Sequence, residues 1–166
     1  NAETAVLTEN CYDLFMSEAR TTSYFAVATY QVPIKHWKSL GRMLISEKGF
    51  LGMASWSGTM FEYFMSVLFL PLYKNSFSYE ALIFALNAQK RESVSKLWGM
   101  SESGFYSFDS SLNYQYKAHG VPSLSLKRYP EKEMVISPYS SFLTICVDRK
   151  ASLQNLKKLK ECGLWG

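Results

Sequence analysis

Cysteine is scarce in this chain of 166 residues: Cys11, Cys146 and Cys162 form an odd, widely spaced set. With no C-x-x-C pair and no histidine nearby, that set excludes a disulfide framework and a structural zinc site, and leaves buried or ordinary thiols. Histidine is scarcer, and His36 and His119 are too far apart in sequence to suggest shared ligation, so no metal and no cofactor is expected. Charge of one sign is also lacking. The 18 Lys and Arg against 14 Asp and Glu leave a dispersed net +4, which argues against a nucleic-acid surface. The longest apolar run, Phe64 to Tyr73, is broken by Ser66 and Pro71. It reaches about half of the roughly 20 residues that a membrane-spanning helix needs. No basic stretch leads into an apolar run at the N-terminus, so no signal peptide is visible. Nucleophile elbows, phosphate loops, dinucleotide fingerprints and H-E-x-x-H are all missing.

What is present is an apolar share of 48% with 19% charged residues, well outside the disordered range and enough for one globular domain over residues 1–166. Aromatics are abundant at 16%, more than a core of this size needs, and many are expected to line a surface that binds something flat. Asn10 reads as an N-cap for a helix over 11–30, with Tyr12, Phe15, Met16 and Ala19 at helical spacing. Pro33 and Gly41 frame a short helix. Thr59 and Glu62 form a capping box that opens a helix ended by Pro71. Ser78 is expected to cap a helix running towards Ser95, and Pro138 to open a shorter one. Asp148 caps a last helix with Leu153, Leu156 and Leu159 inward, Lys157, Lys158 and Lys160 outward, and Gly163 as its stop. The class expected is mainly α, with about six helices and a long aromatic-rich loop over 105–134. Within that loop Tyr114-Gln115-Tyr116 and Leu124-Ser125-Leu126 alternate as a small hairpin would.

Candidate chemistry falls to carboxylates. Glu18, placed mid-helix with Leu14, Thr22 and Phe25 on its flank, has surroundings that suit a general acid, against the plainer reading of a solvated helix glutamate. Glu102, in Trp98-Gly-Met-Ser-Glu-Ser-Gly104, sits among small residues that let a substrate approach, against the plainer reading of a turn. Serine hydroxyls and backbone N–H groups are expected to keep it ionised. Glu62 has the capping box as its plainer role. The runs Ser55-Trp56-Ser57-Gly58-Thr59-Met60 and Tyr114-Gln115-Tyr116-Lys117 set aromatics beside amides, hydroxyls and a cation, as sugar sites do. Trp56, Glu62, Tyr114, Gln115, Tyr116 and Lys117 are therefore the substrate-binding candidates, with Trp98 as a further ring expected on the same surface.

The segments Asn10-Cys-Tyr-Asp-Leu-Phe-Met-Ser-Glu-Ala-Arg20, Val32-Pro-Ile-Lys-His-Trp-Lys-Ser-Leu-Gly-Arg42, Ser55-Trp-Ser-Gly-Thr-Met-Phe-Glu-Tyr63, Trp98-Gly-Met-Ser-Glu-Ser103 and Asn113-Tyr-Gln-Tyr-Lys-Ala-His-Gly-Val-Pro122 resemble the glycoamylase-like family. That family includes the central transglycosylase segment of cyclic β-1,2-glucan synthases. The resemblance implies part of an (α/α)6 toroid and action on β-glucan by a retaining mechanism. Carried over by position, Glu18 matches the general acid/base and Glu102 the nucleophile. It implies as partners a β-glucan oligosaccharide or polysaccharide and the remainder of the chain's own polypeptide, because a toroid has about twelve helices. The alternative is a non-catalytic glucan-binding or structural module. Two departures stand out: Thr29-Tyr-Gln31 where the family carries a glycine and an acidic residue, and His119 where it carries a phenylalanine.

Overall fold

The computed structural model describes residue 6 and residues 11–93, 95–127 and 133–164. The expected cap Asn10 lies outside them, as does Pro130 of the long loop. The first helix, α1, is shorter than expected, running only over Arg20–Ala28. Before it, Leu14 makes an isolated bridge to Gly41 and the chain then bends into the helix: the Phe15 N–H donates to the Gly41 carbonyl at 2.8 Å and the Gly41 N–H to the Asp13 carbonyl at 2.7 Å. Leu14, Phe15, Met16 and Ser17 are buried in succession, so this stretch crosses the interior and the apparent helical spacing was not the face of a helix. Helix α2 (Ile34–Ser39) follows Pro33, and Trp37 packs edge-on against Phe15 and Tyr24.

Strands β1 (Leu44–Glu47) and β2 (Phe50–Met53) then pair antiparallel around Lys48-Gly49, both with positive φ, as a two-residue hairpin turn requires. The Thr59 capping box opens α3 (Met60–Phe64), which tightens into a 3₁₀ turn over Met65–Leu68 before Pro71. Helix α4 (Phe77–Arg91) is capped by Ser76, whose Oγ accepts the Tyr79 N–H at 3.2 Å. The cap is thus Ser76 and not Ser78, and the helix stops short of Ser95, which together with Lys96 turns at positive φ. Helix α4 centres the core, burying Leu82, Ala85, Leu86 and Gln89 against Met53, Met60, Tyr63 and Phe64.

A second antiparallel pair, β3 (Glu102–Gly104) with β4 (Tyr116–Ala118), takes the place of the expected 114–126 hairpin. Leu124 instead closes a 3₁₀ turn over Pro122–Leu124, and Ser125 bridges to Ser55. Pro138 opens α5 (Pro138–Leu143), and Asp148 caps α6 (Arg149–Glu161) by accepting the Ala151 N–H at 3.0 Å. The inward face of α6 is partly polar: Asn155 bonds to the Trp98 carbonyl and to Ser141, both at 2.8 Å, and Ser152 bonds to Thr144 at 2.7 Å. Leu153 accordingly points outward, while Leu156 and Leu159 are buried.

The mainly α expectation, and the (α/α)6 toroid with it, is overturned. Six α-helices among the described residues alternate with two separate two-stranded sheets, which makes a small mixed α/β domain. Cys11, Cys146 and Cys162 are free and exposed, so the buried alternative for them falls as well.

Candidate active site

Three carboxylates arrive from three places in the chain. Glu18 lies on the turn leading into α1, not mid-helix as its neighbours suggested, and its Oε2 accepts the Tyr12 hydroxyl at 3.2 Å. Glu62 is 1% exposed on α3. Its carboxylate accepts the Ser55 hydroxyl at 2.8 Å, the Ser57 and Thr59 N–H groups at 3.0 Å, and the Thr59 hydroxyl at 3.2 Å. That set clamps the 55–59 loop as well as completing the capping box. The loop is held from its other side by Gly58 and Gly120, where a Cβ on Gly120 would stand 1.9 Å from the Ser57 carbonyl oxygen.

Glu102 opens β3, well after α4 has ended, and strand pairing aims it. Tyr116 pairs with Gly104, so it is a diagonal neighbour of Glu102 on one face of the ladder, within reach of a long side chain. Its hydroxyl donates to Glu102 Oε2. Gly104 leaves room on that face for the Tyr114 ring, since a Cβ there would stand 1.8 Å from the Tyr114 hydroxyl. The flanking serines hold the backbone and not the carboxylate. Ser101 Oγ accepts the Phe61 N–H at 3.0 Å and bonds to the Tyr139 hydroxyl at 2.9 Å, and Ser103 bonds to Ser137. Tyr139 also donates to the Glu102 carbonyl at 3.1 Å.

Electrostatics joins these groups. Burial pushes the Glu102 carboxyl above the ordinary carboxylate range; the Tyr116 hydrogen bond draws it back, and the charges of Glu18 and Glu62 push it up again. The bond that lowers it most is thus the Tyr116 phenol's, while the flanking serines hold the backbone. Partial burial and then the charges of Glu18 and Glu62 push the Tyr12 phenol up, and burial and the bond to Glu102 do the same for Tyr116. Both phenols therefore remain protonated donors. Chemically, the arrangement offers two partly accessible carboxylates, each oriented by a phenol, beside a third that is sealed into the loop.

The other candidates separate. Trp56, Tyr114 and Tyr116 keep exposed rings. Trp98 does not: it is 6% exposed, in the core beneath Lys90. The Gln115 amide is spent on Asp109 at 3.2 Å, and Lys117 pairs with Glu133 at 3.2 Å while lying over the Phe105 ring. Sequence reasoning missed Tyr12 and Tyr139 as members of the site. Tyr12 was absorbed into a helix that does not form there, and Tyr139 reaches Ser101 and the Glu102 carbonyl only through contacts distant in sequence. Among the described residues no three His, Cys, Asp or Glu side chains are grouped to hold a metal ion, and no helix is long and apolar enough to cross a membrane.

Comparison with known proteins bears on what such a site belongs to. A family model described as "Putative glucoamylase" matches residues 11–166. The protein named cyclic beta-(1,2)-glucan synthase NdvB, from Rhizobium meliloti (strain 1021), is 40% identical over 162 residues. That match takes in 96% of this chain and 6% of the relative, so the chain spans a small fraction of that protein's length. On a family match that runs from Cys11 to Gly166, the chain belongs to the Glycoamylase family.

Proposed function

We propose that this chain carries the two reacting carboxylates of a retaining glycosidase or transglycosylase acting on β-1,2-glucan, as one segment of a larger polypeptide. In the first step a Glu102 oxygen bonds to the anomeric carbon. The glycosidic C–O bond breaks, and the leaving oxygen takes a proton from Glu18. In the second step Glu18 removes the proton from an incoming hydroxyl, whose oxygen displaces Glu102 from the sugar. Water as that acceptor gives hydrolysis; a sugar hydroxyl gives transfer. The observation that carries the reading is that Glu18 and Glu102 are each bonded to a tyrosine of their own, close enough for the Glu18 charge to raise the Glu102 carboxyl. Membership of the family and the name of the glucan synthase relative supply the substrate class. The exposed rings of Trp56, Tyr114 and Tyr116 supply surfaces on which sugar C–H faces can stack. Glu62, Gln115 and Lys117 contribute by shaping that surface from behind.

Incubation of the chain, and of the longer protein containing it, with linear β-1,2-glucan tests the reading by the masses of the products. Shortened chains, each with one added water, report hydrolysis; redistributed or ring-closed chains report transfer. Glu102→Gln is expected to abolish both on every donor, and Glu18→Gln to spare the first step only for donors with good leaving groups. Quenching of tryptophan fluorescence by glucan with no change in its chain length, in both proteins, would leave a binding module in place of an enzyme.

A further inference from the structure

Away from the three carboxylates, none of which lines it, a cavity of about 190 Å³ opens among Phe15, Trp37, Leu72 and Tyr73. Its walls are mostly apolar, with Arg20 and the side chains of Ser66, Ser76 and Ser78 as polar members. Arg20 lines the cavity and is 5% exposed. Its Nη1 donates to the Phe15 carbonyl at 3.4 Å and the Met16 sulfur at 3.1 Å, and its Nη2 donates to the Tyr63 carbonyl at 3.2 Å. A guanidinium has five N–H donors in a fixed plane. Those three bonds leave Nε–H and one Nη2–H without an acceptor, two donors of one guanidinium that can make charge-assisted bonds to a carboxylate.

No carboxylate of the described residues pairs with Arg20; the ion pairs present engage Lys90, Arg91, Lys117 and Lys157. Carbonyls and a thioether solvate the guanidinium but do not neutralise it, and a buried charge without a counter-ion is costly. Burial accordingly pushes its pKa down to about 10. Ser76 also lines the cavity, and because its Oγ accepts the Tyr79 N–H, its hydroxyl proton is left to donate. The size suits a small ring, since a dry cavity of roughly 150 Å³ holds benzene. Three serines and one guanidinium on otherwise apolar walls would leave most hydroxyls of a sugar unpaired, so the cavity is a poor glucan subsite.

We propose that this cavity binds a small organic carboxylate on an apolar body, with the carboxylate on the free N–H groups of Arg20 and the body among Phe15, Trp37, Leu72 and Tyr73. The proposal does not depend on the glucan reading. Phenylacetate and its neutral isostere phenylacetamide, titrated into the chain by calorimetry at neutral pH, separate charge recognition from cavity filling. Phenylacetate is expected to saturate one site and to bind about tenfold or more tightly than the amide, because its bonds to the guanidinium are charge-assisted. Arg20→Met is expected to erase that preference. Should this variant fail to fold, Leu72→Trp, which fills the cavity from a half-buried position, is expected to abolish binding of both compounds. Equal affinities in the unaltered chain, no saturable phenylacetate binding, or undiminished binding by Leu72→Trp would each overturn the proposal.

Discussion

Glu102 is held between opposing influences, and of the bonds that lower its pKa the one from Tyr116 is the larger. Burial and the neighbouring Glu18 and Glu62 charges raise its carboxyl pKa, while the Tyr116 hydroxyl lowers it. Tyr116→Phe takes away the lowering bond, so the pKa rises further. A nucleophile must be ionised, and the acid limb of kcat/KM is therefore expected to move to higher pH. On that limb the loss is about tenfold, the order of one hydrogen bond to a charged group. A pH–rate profile of the active protein checks this; a limb that stays in place or moves to lower pH speaks against Tyr116 as the donor that tunes Glu102. The sign for stability follows from the same shift. A carboxyl raised in the folded state favours folding at low pH, and that contribution fades as pH rises through its folded pKa.

At the scale of elements, capping chemistry was legible and long-range pairing was not. Thr59 with Glu62 and Asp148 announce helix starts because a cap satisfies its own neighbours within three or four residues, and Pro138 does so because its fixed φ suits the first helical position. Asp148 does this while also pairing with Lys90 at 2.8 Å. Asp148→Ala is expected to cost about 1 kcal/mol, read as a fall in Tm of about 3 °C. The bond to Lys90 and then the Ala151 N–H hold the Asp148 carboxyl below its ordinary value. Its stabilisation is thus present above the unfolded-state pKa and is lost as pH falls through the folded one, so the gap in Tm between the two proteins should close on acidification. A gap that widens in acid would refute this account of the α6 start. By contrast, 11–19 looked helical because Tyr12, Phe15, Met16 and Ala19 fall at helical spacing, and only the bonds to Gly41 reveal a segment that bridges and bends instead. The Lys48-Gly49 turn hid β1 and β2 for want of an Asn-Gly signature and of clean alternation. The pairing of β3 with β4 depends on Glu102 meeting Ala118, which no local pattern encodes.

Across the whole molecule, the fold's contribution is to bring residues 18, 62 and 102 into one electrostatic neighbourhood from the approach to α1, from α3 and from β3. Glu18 and Glu102 were legible as candidates from composition and family motifs, but their tyrosine partners became visible only once the chain had folded. Apolar side chains also stay in solvent on the first hairpin, where Leu44, Phe50 and Leu51 are all more than half exposed. The central claim is that Glu102 bonds covalently to the sugar while Glu18 manages the proton. It is tested most directly by trapping. The Glu18→Gln variant of the longer protein is mixed with an activated β-glucosyl fluoride bearing a β-1,2-linked glucan tail, digested, and its peptides are weighed. A good leaving group lets the first step proceed without the acid, and loss of the base stalls the second. The prediction is a glycosyl adduct on the peptide containing Glu102. Turnover of the donor with no adduct, or an adduct on a different residue, would contradict it.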